Sequence, residues 1–244
     1  MRGIILAAGR GSRLGSLIKN SHKSLLKFKK TTLLDHVIKN FKKNNIRKVC
    51  LVTGYNNKKF KNYNLKKFHN KYWHKTNMVY SLTKADRWLN NYNCIISYSD
   101  IFYEKKAIEI LKKNKKSFVV LNNKKWLKNW KSRYKNPLDD AESFKVDKNK
   151  NLIEIGSREK KLKNIKGQYM GLIKITPKIW KLIKKKLPKI KNQNKISLTE
   201  LFDNLIKLKF KISTAEYNNE WFEIDNKVDL TFFLKSVNKL KSIN

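Results

Sequence analysis

The sequence predicts an α/β fold, with one mixed, mostly parallel sheet, helices on both of its faces and a small β-hairpin inserted late in the chain. Three observations carry this reading. Short apolar runs alternate with stretches of helical periodicity from Arg2 to Leu121, a glycine-rich loop directly follows the first run, and after Asn122 the pattern changes to two short strands around a polar turn. Such alternation calls for parallel crossovers with helices packed on both sheet faces.

Arg2 to Ala8 is the first strand, and Leu33, Leu34, Val37, Ile38 and Phe41 then recur at the spacing of a helix face. Ile46 to Thr53 reads as a second buried strand, Asn77 to Leu89 as a helix, Tyr92 to Ser99 as a strand, Glu104 to Asn114 as a helix and Ser117 to Leu121 as a strand. Ser143 to Val146 and Asn151 to Ile155 flank the turn Asp147-Lys148-Asn149-Lys150, which makes them the inserted hairpin. An apolar strand follows from Tyr169 to Thr176. Pro177 suits the first turn of a helix, and Ser197-Leu198-Thr199-Glu200 has the form of a capping box opening another. Lys211 to Tyr217 and Trp221 to Ile224 read as strands, and the chain closes with a helix.

Composition narrows the function. A 40% hydrophobic content supports a packed core, and no apolar run approaches the roughly 20 residues that span a bilayer. A soluble, cytoplasmic protein without membrane insertion is expected. Cys50 and Cys94 are too few for a disulfide framework or a cysteine zinc site, and His22, His36, His69 and His74 lack metal-ligand spacing. The formal charge of +40 first suggests nucleic acid. Only seven of the 58 basic residues are arginine, however, and the lysines are spread over every segment. Phosphate-forking and base-reading surfaces favour arginine. Together with the abundance of asparagine, this points to a compositional drift toward A- and T-rich codons. A nucleic-acid partner is therefore disfavoured, although the aromatic and lysine mixture from Lys58 to Lys75 keeps a non-enzymatic RNA-binding protein as an alternative.

The first chemical signal is the loop Leu6-Ala7-Ala8-Gly9-Arg10-Gly11-Ser12-Arg13-Leu14-Gly15, in which small residues let backbone N–H groups approach phosphate oxygens. It is neither a dinucleotide fingerprint, because Leu14 stands where a small residue is needed, nor a P-loop, because Gly-Lys-Ser/Thr is absent. Arg13 within the loop and Lys23 after it supply the positive charge that a departing pyrophosphate requires. Asp100, after the run Ile95 to Ser99, falls at the carboxyl edge of a central strand, where open α/β sheets bind ligands.

Leu6-Ala7-Ala8-Gly9-x-Gly11-x-Arg13 followed by Lys23-Ser24-Leu25 resembles the signature of the nucleotidyltransferases that make nucleotide sugars and CDP-alcohols. Val52 to Tyr55, Asn77 to Leu82, Ser99-Asp100, Asp140 to Glu142, Gly167 to Gly171 and Trp221 to Asp225 extend the likeness, in order, to the bacterial phosphocholine cytidylyltransferase branch. The resemblance implies a Rossmann-like nucleotidyltransferase fold in one domain, 1–244, with residues 1–122 as the nucleotide-binding half and 123–244 as the acceptor-binding half. It also implies CTP as donor, Mg2+ as cofactor and release of pyrophosphate. The family usually has proline where His22 stands, which questions the rigidity of that loop.

On this resemblance the catalytic residues are Arg13, Lys23, Asp100 and Asp225, and the two aspartates hold the metal. Leu6, Ala7, Ala8, Gly9, Gly11, Ser12, Asn77 and Ser81 are expected to contact the nucleotide, with Asn77 equally readable as a helix cap. The acidic cluster of Asp139, Asp140 and Glu142 is a local exception in a basic chain and follows Trp126, Trp130 and Tyr134. Aromatic faces and carboxylates both attract cations. Trp126, Trp130, Asp140, Glu142, Tyr169, Trp221 and Glu223 are accordingly expected to bind an acceptor that carries a positive amine beside its phosphate or phosphonate. A hexose-1-phosphate nucleotidyltransferase is the enzymatic alternative, and a homodimer is left open.

Overall fold

Residues 2–7 are almost wholly apolar, and in the computed structural model, which describes residues 1–240, they form β1 (Arg2–Ala7) near the middle of the sheet. The chain then passes through the glycine loop and two-residue strands β2 (Lys27–Phe28) and β3 (Thr31–Thr32) into α1 (Leu33–Lys43), capped by Thr32. The buried side of α1 is the predicted set Leu33, Leu34, Val37, Ile38 and Phe41. The next strand, β4 (Val49–Thr53), starts three residues later than predicted, because Asn45 takes a left-handed turn with φ 61° after the helix. A short β5 (Lys66–His69) follows within the segment that composition alone marks as surface.

The predicted helix over 77–89 is two helices, α2 (Met78–Thr83) and α3 (Asp86–Asn91). Asp86 explains the change of direction: it accepts from the Trp180 indole N–H at 2.7 Å and pairs with Lys184, so α3 is tied to another helix. Then come β6 (Cys94–Tyr98), β7 (Ile101–Tyr103), α4 (Lys106–Lys113), β8 (Phe118–Asn123) and α5 (Trp126–Lys131). The hairpin is present as β9 (Glu142–Val146) and β10 (Leu152–Arg158), its turn held by Asp147, whose carboxylate accepts from the backbone N–H groups of Asn149 and Asn151. The rest is β11 (Gln168–Ile175), α6 (Pro177–Lys186), α7 (Leu198–Lys207), β12 (Ser213–Tyr217), β13 (Trp221–Glu223) and α8 (Lys227–Lys239). Helix α7 carries the predicted capping box of Ser197 and Glu200.

Seven strands make the main sheet in the order β12-β8-β11-β6-β1-β4-β5. All neighbours are parallel except β11, which runs against both β6 and β8. This is the mixed, mostly parallel sheet expected. Its carboxyl edge gathers the ends of β1, β4 and β6, and because β11 is reversed, Gln168 and Tyr169 at its start join the same edge. One continuous core runs from Ile4 to Trp221 and includes both cysteines, whose thiols burial pushes up. A satellite core of Leu14, Phe28, Phe102, Phe222 and Phe233 lies between the glycine loop and α8. No helix among the described residues is long and apolar enough to cross a membrane.

His36 on α1 stacks on Phe102 at 4.4 Å and bonds through Nε2 to the Tyr103 carbonyl. Burial lowers its pKa to about 4. The unfolded chain binds this proton near 6.5, so between about 6.5 and 4 the unfolded state holds more protons and stability falls with falling pH. His36→Gln, which can still donate to Tyr103, should make that slope shallower by up to roughly 1.4 kcal/mol per pH unit. Denaturant titrations at several pH values check this, and an unchanged slope would contradict it.

Candidate active site

Strand β1 delivers the glycine loop to the carboxyl edge of the sheet, and the loop is pressed against the end of β4. The Tyr55 N–H donates to the Ala8 carbonyl at 3.0 Å, and a Cβ on Gly54 would lie 2.5 Å from that same oxygen. Only glycine fits there. Gly11 has φ 66° and backs onto the Lys23 side chain, whereas a Cβ on Gly9 would meet nothing, because Gly9 faces open space. Backbone is thus laid bare on one side and locked on the other.

His22 stiffens the segment before Lys23. Its Nδ1 accepts from the Ser24 N–H at 3.1 Å, capping a single helical turn over Lys23–Leu25, and its ring packs edge-on against Phe60 at 4.9 Å. Burial, with the neighbouring Lys23 charge adding to it, lowers the His22 pKa to about 4, so the ring is neutral and can accept. A side-chain cap here does the work that a proline would do by fixing φ.

Lys23 is the meeting point of the site. Its ammonium pairs with Asp100 and, at 2.7 Å, with Asp225, while Arg13 reaches the other oxygen of Asp225 at 2.9 Å. Burial opposes the Lys23 charge, but the two carboxylates outweigh it and hold its pKa above the usual lysine value. Burial also opposes the charge of Asp225, and Lys23 and Arg13 overcome it, holding that carboxyl below its ordinary value. Arg13 remains largely exposed, with 66% of its side chain in solvent, against 15% for Lys23.

Topology explains the convergence. Asp100 follows the end of β6, and β13 pairs antiparallel with β7 so that Glu223 lies opposite Ile101. The Ile224 N–H then donates to the Asp100 carbonyl at 3.1 Å, which places the two aspartates side by side. Asp225 is not the cap of α8; Asn226 is, in a capping box with Asp229. The Asp229 carboxylate also accepts from the Asp225 N–H at 3.0 Å and pairs with buried Arg133 at 2.7 Å. Glu223 projects beside the aspartates, and burial, reinforced by Asp225 and Asp100, pushes its carboxyl well up.

Two clefts open on this centre. The first, of about 230 Å³, is lined by Leu6, Ala7, Ala8, Gly9, Gly11, Lys23, Asn77, Ser81 and Asp100. Ser12 alone among the loop residues expected there is outside it, exposed at the start of the next turn. Asn77 serves both readings, because it lines the cleft and caps α2 through a bond to the Met78 N–H. Ser81 faces the cleft, but its hydroxyl is engaged by Asn70 and the Asn77 carbonyl. Sequence reasoning missed Trp73 and Thr76 in this wall. Trp73 packs edge-on against Tyr55 at 5.1 Å.

The second cleft, of about 260 Å³, is lined by Trp130, Asp140, Glu142, Tyr169, Trp221 and Glu223, with Ser143, Gln168, Ser197 and Thr199, which the sequence did not flag as site residues. Arg13, Met78, Tyr98, Glu223 and Asp225 line both clefts. Trp126 departs from expectation. It is buried one helical turn behind Trp130, at 5.6 Å edge-on, and lines neither cleft, whereas Trp130 stacks on Trp221 at 5.6 Å. Residues four apart share a helix face, but here the nearer turn reaches the cleft and the farther one fills the core.

This geometry can hold a phosphorylated nucleotide on exposed backbone N–H groups and bring a second substrate to the same charges. Residues 3–131 match the model of the MobA-like NTP transferase domain. The chain belongs to this nucleotidyltransferase family. It is 32% identical over 248 residues to a CTP:phosphoglutamine cytidylyltransferase of Campylobacter jejuni, covering 94% of this chain and 98% of that one. Over 134 residues, 52% of this chain and 57% of the relative, it is 30% identical to a choline-phosphate cytidylyltransferase of Haemophilus influenzae. The fold is that of the CTP:phosphocholine cytidylyltransferase of Streptococcus pneumoniae, with a TM-score of 0.73 at 16% identity over 97% of this chain and 98% of that one. An inositol-1-phosphate CTP transferase of T. maritima gives 0.75 at 18% identity over 98% and 96%.

Within this nucleotidyltransferase the Arg133–Asp229 pair braces both clefts, because Asp229 holds the backbone of Asp225 while the Arg133 guanidinium lies 4.3 Å over the Trp130 ring. Removing one member leaves a buried charge unpaired. Arg133→Ala should therefore cost about 3 to 5 kcal/mol, and Arg133→Met combined with Asp229→Leu clearly less. Urea denaturation of both variants checks this; equal losses would show that packing rather than the charge pair is at stake.

Proposed function

We propose that the chain is a cytidylyltransferase that moves CMP from CTP onto a phosphate or phosphonate oxygen of a small acceptor bearing a cationic amine, with release of pyrophosphate. The observation that carries this reading is the pair of adjoining clefts that share Arg13, Glu223 and Asp225, with Lys23 in the first cleft paired to the shared Asp225. The backbone of Ala8, Gly9 and Gly11 receives the nucleotide. Arg13 holds the pyrophosphate portion, and Lys23 neutralises the α-phosphate or the acceptor phosphate as the acceptor oxygen attacks phosphorus in line. Catalysis of this kind rests on positioning and on charge already in place.

Asp100 and Asp225 suit Mg2+ by their chemistry, being two hard oxygen donors that converge on one cation, here the Lys23 ammonium. They would hold the ion, which when bound supplies charge between phosphate oxygens. Asp100→Ala and Asp225→Ala should each lower turnover by about two orders of magnitude or more while the fold survives. Lys23→Ala should do the same, with Lys58→Ala near wild type. Equal effects of Lys23→Ala and Lys58→Ala would reduce the role of Lys23 to diffuse charge.

The amine on the acceptor is supported by what is committed and what is free in the second cleft. Several of its neutral polar groups already serve the fold: Gln168 bonds both ways to the Glu142 backbone, Ser143 Oγ accepts from the Ser157 N–H, and Ser197 Oγ accepts from the Glu200 N–H, while the Tyr169 hydroxyl and the Trp130 and Trp221 indole N–H groups have no partner among the described residues. Asp140 and Glu142 have no ion pair among the described residues, and burial, then Asp140, pushes the Glu142 carboxyl up. An ammonium group satisfies these acids through charge, which a neutral sugar hydroxyl does not supply. Phosphocholine, aminoethylphosphonate and phosphorylated amino acids, among them the phosphoglutamine of the Campylobacter jejuni relative, are the acceptors of this class.

Pyrophosphate release measured with CTP, ATP, GTP, UTP and dTTP against these acceptors and glucose 1-phosphate tests the reading. CTP with an amine-bearing acceptor should dominate; glucose 1-phosphate matching them would overturn the cationic acceptor, and absence of turnover alongside salt-dependent RNA binding would overturn the enzyme. Trp130→Leu and Trp221→Leu, which remove part of the cleft wall, should raise the acceptor KM about tenfold, and Trp126→Leu should lower stability while leaving that KM near wild type.

A further inference from the structure

At the opposite edge of the sheet, where β1, β4 and β5 begin, lies an open basin of about 690 Å³. Arg2, Arg47, Lys48, Lys66 and Arg87 line it, and no carboxylate does. Basic residues are abundant everywhere in this chain, so their presence alone says little. Their kind says more. Seven of the 58 basic residues are arginine, so five drawn at random would include fewer than one, and here three of the five are arginine. None of the five forms an ion pair among the described residues, so a bound anion would relieve their mutual repulsion.

The basin is also built to orient its charge. The Arg2 guanidinium lies 3.4 Å from the centroid of Tyr92, just after α3, and 4.6 Å from that of Trp88 on α3, so two aromatic faces hold it. A guanidinium held this way loses little further freedom when it forks onto phosphate oxygens. Arg87 shares α3 with Trp88, and Arg47 precedes β4. Because Arg2 covers the aromatic faces, the basin offers charge rather than stacking surface. It therefore suits phosphate and not the bases of a single strand, which need free rings.

We propose that this basin is a second binding site that takes a small ligand with two or more phosphate groups, such as inorganic pyrophosphate or a nucleoside triphosphate. Arg2 is the first residue of β1, and Ala7 at the end of the same strand lines the nucleotide cleft, so one six-residue strand joins the two sites. The site stands independently of the proposed reaction.

Isothermal titration of the full chain with pyrophosphate and with ATP tests it. The wild type should show two classes of site for pyrophosphate. The exposed pair Arg47→Ala/Arg87→Ala should lose one class, weakened by about tenfold or more, with turnover in the absence of added pyrophosphate and thermal stability unchanged. Lys235→Ala/Lys239→Ala on α8 should retain both classes. Pyrophosphate binding that the arginine variant leaves unchanged, or an equal loss in the lysine control, would overturn the proposal. So would a single-stranded RNA that binds more tightly than pyrophosphate and is lost in the arginine variant.

Discussion

The Lys23 ammonium between Asp100 and Asp225 is the contact on which the site depends. It ties together residues as much as 202 positions apart, drawn from the loop after β1, the end of β6 and the segment after β13. Without it, Asp100, Asp225 and Glu223 would face one another as acids in a partly buried space, where burial first, and then Asp225 and Asp100, already push the Glu223 carboxyl up with Lys23 in place. In the proposed reaction the same positive charge that offsets these carboxylates would meet phosphate oxygens. Its placement depends in turn on His22, whose cap fixes the turn that carries it.

From this contact the two clefts follow. The glycine loop exposes backbone on one side of Lys23, and the hairpin β9–β10 with α7 walls the other. Buried Arg133 and Asp229 connect them, one against Trp130 and the other against the backbone of Asp225. In the second cleft Gln168, Ser143 and Ser197 are spent on the fold, and Asp140 and Glu142 have no ion pair among the described residues. In a chain of net charge +40, acids left unpaired in a cleft point to a positively charged group on the ligand.

Local chemistry was legible in the sequence wherever a short segment dictates its own conformation. The glycine loop, the Ser197 capping box, the turn at Asp147 and the apolar face of α1 are of this kind, and the end of the Cys94 strand gave the position of Asp100. What depends on distant partners was not legible. Nothing between Thr83 and Asp86 resembles a helix breaker, and the break there comes from the tie of Asp86 to Trp180 and Lys184. Trp73 sits in a lysine-rich stretch with the composition of a surface, yet the loop against Gly54 turns it toward the cleft. Trp126 and Trp130 are alike in sequence, and only the depth of α5 beside β13 separates a core residue from a cleft residue.

The central claim is that donor and acceptor meet directly where the two clefts share Arg13 and Asp225, so that the acceptor oxygen displaces pyrophosphate in a single in-line step. The most direct measurement is the stereochemical course at the α-phosphorus, read by phosphorus NMR of the product formed from one diastereomer of α-thio-CTP. Inversion of configuration is the result this account predicts. Net retention would require an intermediate covalent bond between the nucleotide and the protein, and would contradict it.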